Sequence, residues 1–149
     1  MKKNITITIE SSKSEDLLSF EALNWPKSDR EHYGTAEIDF TSKNYYLTAK
    51  HNEKLLGFIH VQIDAGVMSI EDLLVCYDHH RKGIGTKLLI AVDKLAMKKN
   101  CHVIELITGK DWNARKLYEK NGYTLLCNLP DYYVRKDFIL MVKRIDKST

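Results

Sequence analysis

The residues best suited to chemistry lie in one stretch, residues 69–89, which reads SIEDLLVCYDHHRKGIGTKLL. An apolar run ends in a polar turn, and Gly83 and Gly85 then begin a segment with helical periodicity. The first amides of a helix have no partner within the helix, and the helix dipole adds partial positive charge there. The two glycines lack the Cβ atoms that would hold a phosphate away from those amides, and Arg81 and Lys82 add full positive charge. The stretch therefore predicts an anion-binding turn between a strand and a helix.

Three kinds of glycine-containing anion turn can be compared with this stretch. The P-loop pattern GxxxxGK[ST] needs two glycines farther apart than Gly83 and Gly85. The dinucleotide pattern GxGxxG needs a third glycine where Leu88 stands. The remaining pattern is [Q/R]xxGx[G/A], with His80 in its first position. In this form the stretch resembles the pyrophosphate loop of the GNAT family, the acetyl-CoA-dependent N-acetyltransferases. An ordinary strand-to-helix connection with a glycine-rich turn is the alternative interpretation.

A second motif lies downstream, in residues 113–123, which read NARKLYEKNGY. It resembles the fourth-helix motif of GNAT enzymes, approximately NxxAxxLYxxxGF, with Leu117 and Tyr118 in register. Asp111 stands where the family usually has Asn, and Asn113 follows two residues later. Because both motifs occur in the family's order, the resemblance covers nearly the whole chain.

The resemblance implies a fold and a cofactor. It implies one acetyltransferase domain over residues 1–149, of the α/β (α+β) class, with helices on both faces of the sheet. The GNAT fold has a mixed central sheet, here expected to have six or seven strands flanked by about four helices. Two parallel strands, residues 67–76 and 102–108, are expected to splay and admit acetyl-CoA. The acetyl group would then pass directly to an amine, without a covalent enzyme intermediate.

The resemblance also implies roles for individual residues. Tyr118 occupies the position of the general acid, and a phenol with a pKa near 10 can protonate the departing thiolate; a buried core tyrosine is the alternative. The run IEDLLV resembles diamine and polyamine acetyltransferases, in which a strand carboxylate handles the amine proton. Glu71 is the first candidate for that base and Asp72 the second, since neighbouring strand residues point to opposite faces. A solvated or ion-paired pair of acids is the alternative, and the amide of Val75 is the expected oxyanion donor. The residues expected to bind acetyl-CoA are Leu73, Leu74, Val75, His80, Arg81, Lys82, Gly83, Ile84, Gly85, Thr86, Asp111 and Asn113.

Periodicity and turn residues place these motifs on elements of secondary structure. Strands are expected where apolar residues alternate or form short runs between turns: residues 4–10, 45–51, 55–63, 67–76, 102–108, 123–128 and 133–145. Helices are expected where apolar residues recur every three or four positions: after Ser14 and ending at Trp25 and Pro26, at residues 83–100, and at residues 111–121 with Asp111 as the N-cap.

Charge is distributed unevenly along the chain. Residues 14–40 contain seven acids and two bases, whereas residues 79–120 contain ten bases and four acids. A basic half suits an anionic cofactor and an acidic part suits a cationic partner, although scattered surface charge gives the same counts. The pattern favours a small cationic amine as acceptor, and leaves aminoglycosides, protein N-termini and lysines open.

Two rivals belong to other functional classes. A non-catalytic CoA-binding regulatory module would keep the loop but would have no need of Tyr118 and Glu71. A nucleic-acid partner is not expected, because no recognised motif accompanies the basic half. A homodimer stays open, since GNAT relatives are often dimers.

Composition narrows the class further. At 149 residues the chain is long enough for one full core. No apolar run reaches the length of a membrane span, and the first residues lack the apolar segment of a secretory signal. Cys76, Cys101 and Cys127 are too widely spaced for a disulfide framework or a zinc site, and predict reduced thiols in a cytoplasmic protein. No metal site is expected at His79 and His80, because the ligands are few and the neighbouring residues are basic.

Overall fold

The chain divides into two compact units, Met1–Ile38 and Asp39–Thr149. A computed structural model describes residues 5–146. The helices and strands, in chain order, are α1 (Leu18–Tyr33), β1 (Lys43–His51), β2 (Lys54–Asp64), β3 (Val67–Val75), α2 (Ile84–Lys98), β4 (Val103–Gly109), α3 (Asn113–Lys120), β5 (Thr124–Leu129) and β6 (Phe138–Arg144). Short 3-10 turns lie at Ser14–Leu17, Tyr77–His79 and Tyr133–Arg135.

The first unit differs from the expectation in two places. Residues 5–10 carry no strand pairing, and Asn4 lies outside the described residues, so the strand expected at 4–10 is wrong within the described part. Alternating side chains favour an extended backbone, but a strand forms only when a partner takes up its main-chain hydrogen bonds. The helix end expected at Trp25 and Pro26 is also wrong, because α1 continues through Pro26. It ends at Gly34, which adopts a left-handed φ of 75°.

The second unit is built on a mixed sheet of six strands in the order β1-β2-β3-β4-β6-β5. The β3–β4 pair is parallel and the other pairs are antiparallel. Asn52 and Glu53 join β1 to β2 with φ values of 45° and 63°, as a two-residue hairpin with right-handed strand twist requires. One face of the sheet packs against α2 through the buried residues Leu88, Leu89 and Val92. A mixed six-stranded sheet confirms the expected fold class, but the described residues form three α-helices and short 3-10 turns where about four helices were expected.

Two C-terminal elements begin later than the sequence pattern predicts. The pattern predicts a final strand from residue 133, but Val134 and Arg135 have φ values of 47° and 60°, which no strand can hold. The third helix begins at Asn113, and Trp112 rather than Asp111 is its N-cap residue, without a side-chain hydrogen bond. The amide of Trp112 donates to the carbonyl of Gly109 at 3.2 Å. This hydrogen bond closes a tight turn, and Asp111 lies inside that turn instead of capping the helix.

No helix in the described part of the chain is long and apolar enough to cross a membrane. Within residues 5–146, no group of three or more His, Cys, Asp and Glu side chains is placed to hold a metal ion.

Candidate functional site

The two central strands separate halfway along their length. Parallel pairing of β3 and β4 ends at Ile70 and Leu106, although β3 continues to Val75 and β4 continues to Gly109. The expected splay of the two parallel strands is therefore present, and it leaves one side of the second half of β3 without a neighbouring strand.

A β-bulge lies at the same point. Ile70 is opposite Val61 and Asp72 is opposite His60, so Glu71 is an extra residue with no partner on β2. A bulge bends its strand and increases the local twist. Because the bulge coincides with the end of β3–β4 pairing, the two irregularities together open the sheet at Glu71.

The main chain beyond the bulge has hydrogen-bonding groups directed into this gap. The amide of Cys76 donates to the carbonyl of Leu56 on β2 at 2.7 Å. Main-chain groups of consecutive strand residues alternate between the two sides of the strand. The N–H groups of Leu73 and Val75 therefore face away from β2, toward the space that β4 has left.

The loop before α2 presents a row of free donors. Within the described residues, the amides of residues 81–86 donate no hydrogen bond, and the amide of Lys87 is the next to donate, to Gly83 at 3.0 Å. Arg81 and Gly83 have left-handed φ values of 61° and 77°. Successive amides in such a turn at a helix N-terminus form a concave site for anions. A turn with free amides therefore lies where the sequence predicts an anion-binding turn.

Two contacts hold this loop in place. His80 donates from Nε2 to the carbonyl of Val75 at 3.0 Å, which ties the loop to the end of β3. A Cβ on Gly85 would lie 2.9 Å from Cδ2 of Leu117. Gly85 thus allows α2 to approach α3, in addition to clearing the amides, and brings the second motif beside the first.

A cleft of about 1170 Å³ runs between the end of β3, the loop and α3. All the residues expected at the site line it except Glu71, Asp72, Lys82 and Asp111. Tyr77, His79, Lys116 and Lys120 also line it, although no motif marks them. The i,i+4 spacing of Lys116 and Lys120 was the available signal, since it places both on one face of α3.

Tyr118 belongs both to the core and to the cleft. Its side chain is 7 % exposed and lies in the main buried cluster, yet it lines the cleft. Its ring meets Tyr123 edge to face at 5.8 Å. Burial raises the pKa of Tyr118 to about 12. Tyr118 is therefore protonated at neutral pH.

The two strand carboxylates differ in their surroundings. Glu71 and Asp72 are both exposed, but Asp72 Oδ2 lies 3.2 Å from Nδ1 of His60. Nε2 of His60 lies 2.7 Å from Oδ1 of Asn44. Sequence reasoning missed this connection of Asp72, His60 and Asn44. The connection depends on the register of three strands and on the bulge that shifts that register.

Comparison with known proteins places these features in a family. The sequence model described as "Acetyltransferase (GNAT) family" matches residues 14–123. An acetyltransferase structure from Bacillus cereus superposes with a TM-score of 0.73 at 20% identity, covering 93% of this chain and 97% of that one. The ribosomal-protein-S18-alanine N-acetyltransferase of Escherichia coli gives a TM-score of 0.67 at 21% identity, covering 95% and 96%. A Bacillus anthracis protein named as a proposed streptothricin acetyltransferase, in complex with acetyl coenzyme A, gives 0.64 at 23% identity, covering 69% and 63%.

Proposed function

The chain belongs to the acetyltransferase (GNAT) family, and on that premise we propose that it transfers the acetyl group of acetyl-CoA directly to a primary amine of a small cationic molecule. Acetyl-CoA is the acetyl donor of this family. The finer assignment, the kind of amine, is supported by the acidic composition of residues 14–40.

One observation carries the proposal: the free amides of residues 81–86 lie beside a strand whose main chain is open on one side. The amides suit the diphosphate of CoA. The N–H groups of Leu73 and Val75 suit the amide-containing arm that leads to the thioester, and Val75 remains the proposed oxyanion donor. The cleft holds both groups of donors in one space.

The remaining residues are proposed to transfer the two protons of the reaction, one to the departing sulfur and one from the amine. Tyr118 is the proposed general acid for the departing sulfur, because it is protonated and lines the cleft. Glu71 is the first proposed base and Asp72 the second, as neighbours at the bulge. Lys82 and Asp111 stay proposed cofactor contacts although they do not line the cleft.

Transfer to protein N-termini is a second candidate. It is favoured by the S18-alanine N-acetyltransferase, which matches this chain over 95% of its length. The Bacillus anthracis protein, named as a proposed streptothricin acetyltransferase, favours an antibiotic-like small-molecule acceptor instead. We also propose a cytoplasmic location, because Cys76, Cys101 and Cys127 are all free thiols.

Free-thiol release from acetyl-CoA tests the proposal. The amines are spermidine, an aminoglycoside, free lysine and an alanine-terminated peptide, each with a no-enzyme control. Saturable thiol release with a small polyamine or aminoglycoside supports the proposal. Release with the peptide alone would replace it by the second candidate. Acetyl-CoA binding without release for any amine would favour the non-catalytic module.

A further inference from the structure

The cleft between β3, the loop before α2 and α3 has a basic wall that the proposed acetyl transfer does not use. Lys116 and Lys120 on α3 line the cleft, as does Arg81 on the loop. Among the described residues, no aspartate or glutamate lines it. The cleft is therefore bordered by three full positive charges without a carboxylate to balance them.

The two lysines of α3 have no partner of opposite charge. Both are exposed, and within residues 5–146 neither forms an ion pair. The one acid of α3, Glu119, accepts a hydrogen bond from Nε of Arg115 at 2.8 Å instead. Side chains four residues apart on a helix are neighbours, so the like charges of Lys116 and Lys120 repel each other. An anion bound by both would remove that repulsion.

CoA carries more negative charge than the loop before α2 is placed to bind. The free amides of residues 81–86, at the start of α2, suit its diphosphate, and Arg81 adds a full charge there. CoA also has a phosphate monoester on the 3′ carbon of its ribose. A monoester with a second pKa near 6 carries nearly two negative charges at neutral pH. The two unpaired ammonium groups of α3 match that charge.

The cleft is large enough for both ends of such a ligand. Its volume of about 1170 Å³ exceeds the roughly 300–1,000 Å³ of most small-molecule sites. A Cβ on Gly85 would lie 2.9 Å from Cδ2 of Leu117. Leu117 follows Lys116 in α3, so the helix that carries both lysines packs directly against the segment that carries the free amides.

We infer that Lys116 and Lys120 bind the 3′-phosphate of CoA, so that the enzyme selects a thioester carrier with this phosphate over one without it. The inference rests on the proposed function. A lysine ammonium is a compact charge on a flexible stem, which suits a phosphate monoester at the open edge of a cleft. The assignment narrows the donor from any pantetheine thioester to the thioesters of CoA.

A purely structural role is the alternative for these lysines. Lys120 lies in the last turn of α3, where a positive charge stabilises the helix through its dipole. A lysine with that role alone would affect the stability of the fold and would not distinguish one ligand from another. The test therefore compares two ligands that differ only in the 3′-phosphate.

Calorimetry with CoA and with dephospho-CoA, under reducing conditions, is the first measurement. Wild type should bind CoA about 25-fold more tightly, since each lysine contributes about fivefold, the upper end for an exposed charge pair. Lys116→Gln and Lys120→Gln should each weaken CoA binding by about fivefold and leave dephospho-CoA binding unchanged. Lys94→Gln is the control, because Lys94 is an exposed lysine of α2 outside the cleft, and it should change neither affinity.

Phosphorus-31 NMR of bound CoA is the second measurement, and in wild type it requires no variant. The 3′-phosphate gives a signal separate from that of the diphosphate. Its second pKa, near 6 in solution, should fall by about half a unit or more when CoA is bound, because nearby ammonium groups favour the dianion. The double variant of Lys116→Gln and Lys120→Gln should restore the solution value.

The possible failures can be told apart. Equal affinity of wild type for CoA and dephospho-CoA would overturn the inference and leave the proposed function standing. So would equal weakening of both ligands in the lysine variants, which would place the lysines at the diphosphate. If wild type binds neither ligand, the proposed function fails and the inference fails with it.

Discussion

The two halves of β3 contain similar apolar residues but differ in strand pairing and in burial. The first half pairs with β2 on one side and β4 on the other, and it buries Met68 and Ile70. The second half pairs with β2 alone. On the same face as Ile70, Leu73 is only partly buried against the core, and on the opposite face Leu74 is 61 % exposed. The apolar run is fully buried where both sides of its backbone are paired, and only partly buried where β4 departs.

The separation of β4 from β3 coincides with an irregularity on β3. The extra residue Glu71 shifts the register against β2 at the same position where pairing with β4 ends. The bulge leaves the first half of β3 in register for the core and turns the second half toward the cleft. A variant at the proposed site and a matched variant elsewhere should therefore differ in activity, stability or acetyl-CoA affinity.

The largest effect is expected at the tyrosine pair of the core. Tyr118→Phe should lower kcat by about 1000-fold, or about 4 kcal/mol, because the sulfur then departs without a proton donor. Its acetyl-CoA affinity by calorimetry should not change. Tyr123→Phe is the control, since its hydroxyl is buried without a partner in the described structure, and its turnover should match wild type. Equal turnover in both variants would remove Tyr118 from the acid role.

The next largest effect compares the two halves of β3 by stability. Ile70→Ala should lower the free energy of unfolding by about 3 kcal/mol, because Ile70 is 7 % exposed in the paired half. Leu74→Ala should cost less than about 1 kcal/mol, because much of its side chain is already in solvent. Urea titrations of both variants measure the difference. Equal losses would contradict the difference in burial between the two positions.

A smaller effect separates the loop glycine from a glycine of the same conformation. Gly83 and Gly34 have φ values of 77° and 75°, and a Cβ added to either would meet nothing within 4 Å. Alanine at either place should cost about 1 kcal/mol of stability, because the left-handed conformation strains any residue with a Cβ. Only Gly83→Ala should weaken acetyl-CoA binding, by about tenfold, because strain there displaces the loop amides. If calorimetry shows equal acetyl-CoA affinity for both variants, the loop does not contribute to acetyl-CoA binding.

The smallest effect concerns alkaline pH. Burial raises the pKa of Tyr118 to about 12 and raises the pKa of Tyr123 as well. Above pH 10 these tyrosines ionise in the unfolded chain while they stay protonated in the folded chain. The free energy of unfolding is therefore highest below pH 10 and falls as the pH rises toward the pKa values of the folded state. Tyr118 alone should account for about 1 kcal/mol by pH 11. Two of the eight tyrosines should also ionise late in an ultraviolet titration, and eight equivalent tyrosines would contradict their burial.

The parts of the site that depend on local chemistry could be predicted from the sequence. The loop before α2 follows from glycines at fixed positions after an apolar run, and Tyr118 follows from its place in a helix motif. Both lie on the cleft as expected.

The wrong expectations depend on partners that a local pattern does not contain. The alternation at residues 4–10 could not show whether another strand would pair with it. Pro26 removes one helical hydrogen bond, but the residues around it continue the helix to the stronger stop at Gly34. The contact between His60 and Asp72 required the register of β2 against β3, which the bulge shifts by one residue.

The central claim is that the main-chain donors beside the sheet gap bind acetyl-CoA. Titration of the full chain with acetyl-CoA, followed through backbone amide NMR signals, tests it most directly. The largest saturable shifts should fall on residues 81–86 and on Leu73 and Val75. No saturable shift, or shifts confined to residues outside the cleft, would contradict the account.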